Sequence, residues 1–264
     1  MITINSPHNP AIKELINLRK NRAKKKNDNF IIDGRREIEI ALKAGWNIES
    51  LFFCSELADN SRESMDLSAA LTEKITMVSS PVFHKICYKE SPDGFLAVVK
   101  KKIMDLSHIR LGAKPLIVVL ERIEKPGNLG AVLRTAYAAG VTAIILNDNQ
   151  VDIYNPNVIR ASEGQLFTQT IAITSAIETM EWLKAHKIKS FAAATTVDCK
   201  KYTETDLIGP SAIIFGSESE GLGPEWLRAA DEKIKIPMRS GIDSLNVSVS
   251  AAIILFEVLR QRES

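Results

Sequence analysis

The sequence predicts an α/β protein in two units, of which the larger, C-terminal one contains a mostly parallel sheet. Two observations predict this fold class. Short β-rich runs alternate with helical patterns along most of the chain, and such alternation favours a parallel sheet covered by helices on both faces. The length of 264 residues is that of one large domain or two ordinary ones.

Composition excludes several other classes of protein. Hydrophobic residues make up 45% and charged residues 25% of the chain, which is close to the globular average and unlike a disordered or collagen-like chain. No apolar run reaches the roughly 18 residues of a membrane span, and the N-terminus lacks the pattern of a secretory signal. Three widely spaced cysteines, Cys54, Cys87 and Cys199, favour a reducing cytoplasm over disulfides or a zinc site.

The basic charge is concentrated at the N-terminus. The net charge is only +2, but the first 36 residues contain nine Lys or Arg against three Asp or Glu, a balance of +6, so the rest of the chain carries −4. The basic run at 19–26 is either a solvated helix face or an arm that binds phosphates. Clustered Lys and Arg gain affinity for nucleic acid because they release its counterions.

The N-terminal unit begins with a helix, since Asn9 can cap it and Pro10 suits its first position. Strands are predicted at 30–32, 48–54, 75–78 and 95–99. Helices are predicted at 35–44, at 59–71 and from Ser80 onward. Residues 100–115, which contain Gly112 and Pro115, are the expected linker.

The C-terminal unit shows the alternation more clearly. Strands are predicted at 116–120, 143–146, 190–194, 212–215 and 233–236. A helix is predicted at 176–185, opened by a capping box of Ser175 and Glu178. Because ligands of such sheets bind beyond the carboxyl ends of the strands, we expect the chemistry in the loops after residues 120, 194, 215 and 236.

Three of these loops carry the functional signal. The loop at 121–130 contains glycines but does not match the dinucleotide-binding pattern G-x-G-x-x-G. In the loop at 216–222 the two glycines have Walker spacing, yet Leu222 and Gly223 stand where a P-loop requires Lys and Ser or Thr. The third is the polar loop that precedes an apolar C-terminal helix, which is either buried or a dimer face. A nucleotide-binding dehydrogenase is therefore poorly supported.

In this order, the segments NLGAVLRTA, FGSESEGLG and IPM…SLNVSVSAA resemble the three motifs of the SpoU (TrmH-like) RNA 2′-O-ribose methyltransferases of the SPOUT superfamily. The N-terminal half resembles the family's L30e-like RNA-binding domain in Asn9-Pro10, the basic arm, 30–34 and 91–99. The resemblance implies a substrate-binding domain at 1–105 and a methyltransferase domain at 112–264. It also implies a trefoil knot, in which the last helix threads through an earlier loop.

The resemblance implies S-adenosylmethionine as methyl donor, bound in the knotted loops mostly through backbone groups, and no metal. By motif position, the cofactor contacts are Gly216, Ile236, Leu245, Met238 and Thr195. The resemblance further implies a homodimer with the RNA site built across the interface.

Motif position also assigns the catalytic side chains, which are Arg134, Asn128, Glu218, Ser244 and Asn246. The very high pKa of an arginine side chain leaves almost no neutral form to act as a general base. We therefore favour Arg134 as a clamp on the phosphate beside the target ribose, with the general-base role as the alternative. The expected RNA-binding residues are Arg19, Lys20, Arg22, Lys24, Lys25, Lys26 and Arg35.

The expected activity is methylation of a ribose 2′-hydroxyl in structured RNA, with 23S ribosomal RNA as the first candidate and transfer RNA as the second. Two alternatives stay open. One is an antibiotic-resistance methyltransferase, which shares the two-domain plan and differs in the nucleotide modified. The other is a non-catalytic RNA-binding protein with a degenerate methyltransferase domain, against which the five catalytic-motif residues argue.

Overall fold

A computed structural model describes residues 3–20, 28–59, 61–196, 198–241 and 243–263. It divides the chain into two compact units, Met1–Lys102 and Ile103–Ser264. Each unit has its own sheet and its own apolar core. Among the described residues, no helix combines the length and the apolar character that crossing a lipid bilayer requires.

The N-terminal unit is built on a five-stranded mixed sheet with the strand order β1-β4-β3-β5-β2. Its strands are β1 (Thr3–Ile4), β2 (Asn29–Asp33), β3 (Ile48–Phe53), β4 (Ile75–Val78) and β5 (Phe95–Lys100). Its helices are α1 (Pro10–Arg19), α2 (Arg35–Lys43), α3 (Arg62–Ala70) and α4 (Ser80–Ile86). Strand β5 runs antiparallel to β2 and β3, whereas β4 is parallel to β3 and β1.

Helix α1 belongs to the core of the N-terminal unit. The side chain of Asn9 caps it by accepting a hydrogen bond from the backbone N–H of Ala11 at 3.0 Å. Ile12, Leu15 and Leu18 repeat every three residues and are all buried, in one cluster with side chains of α4. The helix that leads into the basic run is therefore a packed element of this unit.

The C-terminal unit contains a seven-stranded sheet with the order β10-β12-β9-β11-β6-β7-β8. Its strands are β6 (Leu116–Glu121), β7 (Ala143–Asn147), β8 (Ile171–Thr174), β9 (Lys189–Ala193), β10 (Lys200–Lys201), β11 (Ser211–Phe215) and β12 (Glu232–Lys235). Its helices are α5 (Pro126–Ala138), α6 (Pro156–Ala161), α7 (Ala176–Ala185), α8 (Pro224–Ala229) and α9 (Val247–Glu263). Every strand pair is parallel, so the predicted fold class is confirmed.

The central strands explain where a site can form. Every residue of β6, β7 and β11 is buried, as expected of parallel strands covered on both faces. Strands β6 and β11 are neighbours in register, with Leu120 opposite Phe215. The loops that follow these two strands therefore leave the sheet side by side.

The structure adds elements that the sequence pattern did not predict, among them strand β8 and helix α6. Residues 103–111, part of the expected linker, also contribute to the C-terminal unit. Ile109 is buried in its core, and the carbonyl of Met104 accepts a hydrogen bond from the N–H of Ile173 at 3.0 Å.

Candidate active site

A cavity of about 540 Å³ lies at the carboxyl edge of the C-terminal sheet, within the size range of small-molecule sites. Its walls come from the segments after β9, β11 and β12 and from the start of α9. All five residues expected to contact the cofactor line it, namely Gly216, Ile236, Leu245, Met238 and Thr195. Glu218, Ser244 and Asn246 also line it, so the second and third motifs meet at one cavity.

Gly216 allows the loop after β11 to fold back on itself. A Cβ atom at Gly216 would lie 2.1 Å from the carbonyl carbon of Gly221 and 2.2 Å from the nitrogen of Leu222. Ser217 and Gly221 close the loop through two backbone hydrogen bonds of 3.1 and 3.0 Å. Gly221 itself has a φ of +70°, which favours glycine. This wall of the cavity therefore requires glycine at position 216, because any side chain there would collide with the returning backbone.

A chain of hydrogen bonds joins the three motifs. The side-chain amide of Asn128 donates to Glu218 Oε1 at 2.6 Å, and Asn246 Nδ2 donates to Asn128 Oδ1 at 3.1 Å. The other oxygen of Glu218 accepts from the backbone N–H of Glu124 at 3.2 Å. Both oxygens of Glu218 thus bind groups of the first loop, and this carboxylate holds the first and second motifs together.

Asn246 has a second role at the start of α9. Its Oδ1 accepts from the backbone N–H of Ser248 at 2.9 Å and from the Ser248 hydroxyl at 2.7 Å. This is the geometry of a helix N-cap. The same side chain therefore fixes the beginning of α9 and, through Asn128, its position against α5. Ser244 is exposed at the cavity.

Glu121, which the motif reasoning missed, does not line the cavity but holds the end of the loop after β11. Its side chain is buried at the end of β6, and Oε2 accepts from the backbone N–H of Gly223 at 2.7 Å. Arg122 lies between this carboxylate and Glu220, with Nη2 at 3.9 Å from the first and Nη1 at 3.6 Å from the second. The sequence signal was a carboxylate directly after a fully apolar strand, because a buried charge must find a partner.

Arg134 lies away from this cavity. It does not line the cavity, and it is six residues beyond Asn128 on α5, which corresponds to about 9 Å along the axis and about 120° around it. The side chain is 59% exposed, and Nη1 lies 2.5 Å from Glu163 Oε1. The structure therefore places Glu218, Ser244 and Asn246 at the cavity. Asn128 is connected to it through hydrogen bonds with Glu218 and Asn246, and Arg134 lies apart from it.

Two of the expected RNA-binding residues have partners within their own unit. Arg19 Nη1 donates to the backbone carbonyls of Lys85 and Cys87 at 3.1 and 2.8 Å, so it closes the C-terminal end of α4. Arg35 forms an ion pair of 2.8 Å with Glu39, one turn further along α2.

Lys20 follows α1 directly as its C-cap residue. The other expected residues of the basic arm, Arg22, Lys24, Lys25 and Lys26, lie outside the described residues. No group of three or more His, Cys, Asp or Glu placed to hold a metal ion occurs in the part of the chain that the structure describes.

Comparison with known families covers both units. Residues 115–256 match the SpoU rRNA Methylase family. Residues 9–97 match the MRM3-like substrate binding domain. The first match contains the three loops around the cavity as well as helix α5 with Arg134.

Individual proteins match over nearly the whole length. The 23S rRNA (uridine(2479)-2′-O)-methyltransferase of Streptomyces viridochromogenes is 31% identical over 247 residues, covering 89% of this chain and 84% of the relative. A crystal structure of an RNA 2′-O ribose methyltransferase is 39% identical, with a TM-score of 0.86 and full coverage of both chains. The SpoU methyltransferase AviRb from S. viridochromogenes, in complex with the cofactor AdoMet, is 26% identical, with a TM-score of 0.87 over 97% of this chain and 99% of that one.

Proposed function

The chain belongs to the SpoU rRNA methylase family, and we propose that it transfers a methyl group from S-adenosylmethionine to a ribose 2′-hydroxyl of 23S ribosomal RNA. The observation that carries this proposal is the cavity where the second and third motifs meet. Hydrogen bonds connect its polar residues to the first motif. Family membership also implies the trefoil knot around these loops.

The cavity fits S-adenosylmethionine. Leu222, Ile236 and Leu245 line it and offer an apolar slot for a flat base, and Gly216 lets the loop after β11 fold back to form one wall. A solved relative holds the same cofactor at 26% identity. The resulting proposal assigns the cofactor contacts to Gly216, Ile236, Leu245, Met238 and Thr195.

S-adenosylmethionine supplies an activated methyl group, so the protein's task is to orient the ribose hydroxyl and to remove its proton. Asn128 and Asn246 hold the acceptor side of the site in register through their hydrogen bonds with each other and with Glu218. Ser244, exposed at the cavity, is free to contact the incoming nucleotide.

Arg134 acts on the phosphate beside the target ribose. A guanidinium carries a positive charge and has the planar fork that matches a phosphate. The proton of the 2′-hydroxyl then passes to a phosphate oxygen that Arg134 holds in place. In this proposal Arg134 stabilises charge and geometry rather than accepting the proton itself.

The active enzyme is a homodimer in this proposal, because Arg134 lies off the cavity of its own chain. Tyr137, one turn beyond Arg134 on α5, is exposed, as are Val249 and Phe256, two turns apart on α9. Helices α5 and α9 pack against each other. A second copy that covers these apolar side chains would bring each Arg134 close to the partner's cavity.

Residues 1–105 bind the RNA substrate in this proposal. The match to a substrate-binding domain and the charge of +6 in the first 36 residues support it. The site of action in this proposal is the cytoplasm, because its reducing conditions suit three buried cysteines that form no disulfide.

The substitution Gly216→Ala tests the cofactor site. The added Cβ must displace the backbone of Gly221, so we expect S-adenosylmethionine binding, measured by calorimetry, to weaken by about 5- to 150-fold, which corresponds to an overpacking cost of about 1–3 kcal/mol. Gly127→Ala is the matched control, since a Cβ there meets nothing within 4 Å. Unchanged affinity in a folded Gly216→Ala protein would show that the cofactor binds elsewhere.

A further inference from the structure

The ion pair between Arg134 and Glu163 involves a residue with an unusual backbone conformation. Glu163 lies between α6 and a 3-10 turn at Gln165–Phe167, and its φ is +49°. A residue other than glycine in this left-handed region carries a conformational cost, and such residues cluster at functional sites. The carboxylate that the turn presents lies 2.5 Å from Arg134 Nη1.

The turn that carries Glu163 is held firmly. The backbone N–H of Glu163 donates to the carbonyl of Arg160 at 3.0 Å, and the N–H of Gly164 donates to the carbonyl of Ile159 at 3.1 Å. The hydroxyl of the fully buried Ser162 donates to the same Ile159 carbonyl at 3.0 Å. The direction of the Glu163 side chain is therefore set by a packed and hydrogen-bonded turn.

A close helix contact fixes the distance between the two partners. Gly130, one helical turn before Arg134, lies against α6, and a Cβ at Gly130 would be 2.5 Å from Ala161 Cβ and 2.7 Å from the carbonyl oxygen of Val158. Helices α5 and α6 can approach this closely only because residue 130 is glycine. Arg134 and Glu163 thus stand on two elements that are locked together next to the ion pair.

We propose that Glu163 is a positioning residue for the reaction: it holds one amino group of Arg134 so that the remaining edge of the guanidinium faces the RNA phosphate. This inference rests on the proposed function. A guanidinium has five N–H donors, and the contact with Glu163 is made at Nη1. The edge formed by Nε and Nη2 can then give a phosphate two parallel hydrogen bonds. Without Glu163, the long and exposed Arg134 side chain would sample many rotamers.

The test compares Glu163→Ala and Glu163→Gln with Arg134→Ala and with the double variant Arg134→Ala/Glu163→Ala. Single-turnover methylation of ribosomal RNA is measured at saturating S-adenosylmethionine, and cofactor affinity is measured separately. We expect Glu163→Ala to slow methyl transfer by about 10- to 100-fold, because misplacement of a positioning group by about 1 Å has effects of this size. Glu163→Gln, which keeps one acceptor oxygen and the side-chain length, should recover part of the rate. Cofactor affinity should not change in either variant.

The double variant separates positioning from a structural role. If Glu163 acts through Arg134, its removal should have no further effect once Arg134 is gone. Glu204→Gln is the matched control, since it removes a comparable exposed ion pair of 2.6 Å with Lys201, and it should react like the wild type.

Three results would overturn the inference: wild-type or faster methyl transfer by Glu163→Ala, an equal loss of rate in the presence and absence of Arg134, or weaker cofactor binding that accounts for the slower rate. Failure of the proposed function has a different signature, because Arg134→Ala would then react at the wild-type rate, or no variant and no wild-type protein would methylate ribosomal RNA.

Discussion

Arg134 shows how the proposed reaction depends on single residues. Its guanidinium is fixed at one amino group by Glu163 and is chemically suited to hold a phosphate, but it is a poor proton acceptor. A positive charge alone would attract RNA. The planar fork is what would fix the orientation of the target nucleotide.

The conservative change Arg134→Lys distinguishes charge from geometry. Lysine keeps the positive charge but cannot form two parallel hydrogen bonds with one phosphate. We therefore expect kcat to fall by about 100-fold, the scale of a misplaced reacting group, with little change in the affinity for S-adenosylmethionine. Steady-state methylation assays measure both. Arg62→Lys, which alters an exposed ion pair with Asp66 in the N-terminal unit, serves as the control, and near wild-type activity of Arg134→Lys would contradict a bidentate clamp.

At the residue scale, the sequence predicted the residues that belong to recognisable motifs. Asn128, Glu218 and Asn246 were assigned by motif position, and the structure joins them by hydrogen bonds. Glu121 and Glu163 were not found, because their partners, Gly223 and Arg134, are far away in sequence. No local pattern specifies a contact across 102 or 29 positions.

Helix α7 is the clearest case in which local sequence specifies an element. The Ser175 hydroxyl accepts from the N–H of Glu178 at 3.2 Å, and Glu178 Oε2 accepts from the N–H of Ser175 at 3.1 Å, so both bonds of the predicted capping box are present. A hydrogen bond from the Thr174 hydroxyl is the largest cause that lowers the pKa of Glu178 to about 2, followed by the bonds from Ser175.

This shifted pKa makes the cap sensitive to acid. Because the pKa of Glu178 is lower in the folded state than its ordinary value of 4.5, the ionised carboxylate stabilises the fold above pH 4.5. That stabilisation is lost as the pH falls toward about 2. We expect the difference in Tm between the wild type and Glu178→Gln to shrink over this range, as followed by circular dichroism.

Glu181→Gln provides the control for the cap, since Glu181 is an exposed residue of the same helix outside the capping box. Its Tm difference from the wild type should not follow the pattern of Glu178→Gln. A Tm difference for Glu178→Gln that stays constant from pH 5 to pH 2 would contradict the role assigned to the cap.

The remaining strands and helices differ in how clearly the sequence predicts them. The long apolar runs of β6, β7 and β11 were predicted because parallel strands buried on both faces are apolar throughout. Strand β8 has only four residues, and α6 has six, too few for a period to stand out. The position of the 103–111 segment depends on the Met104–Ile173 hydrogen bond and on burial of Ile109, neither of which is a local property.

On the scale of the whole molecule, the two units divide the work in the proposed function. The N-terminal unit carries the excess of basic charge and the C-terminal unit carries the cavity. Alternation and composition were enough to predict two α/β units. The expectation of a knot and of a dimer came only from the resemblance of three motifs, because topology and assembly leave no trace in periodicity.

Mixed dimers test whether Arg134 serves the partner's cavity. Arg134→Ala lacks the arginine and Gly216→Ala binds the cofactor weakly, so each homodimer should have little activity when S-adenosylmethionine is kept well below the Kd of Gly216→Ala. In a 1:1 mixture half of the dimers are mixed, and each has one complete site, so we expect about a quarter of the wild-type activity. Activity is measured after unfolding and refolding the two variants together.

The control for subunit exchange is the same mixture prepared without joint refolding, which should stay inactive. An inactive mixture in which mass spectrometry detects mixed dimers would contradict a site shared between subunits. That result would mean that each Arg134 serves the cavity of its own chain or takes no part in the reaction.

The most direct measurement is the chemical position of the transferred methyl group. Purified protein is incubated with methyl-labelled S-adenosylmethionine and 23S ribosomal RNA, and the RNA is then hydrolysed with alkali. A 2′-O-methyl group removes the hydroxyl that attacks the phosphodiester, so we predict label in alkali-resistant dinucleotides, and far less of it from Arg134→Ala in the same time. Label on a base, recovered in mononucleotides, or no transfer of label to the RNA, would contradict 2′-O-ribose methylation.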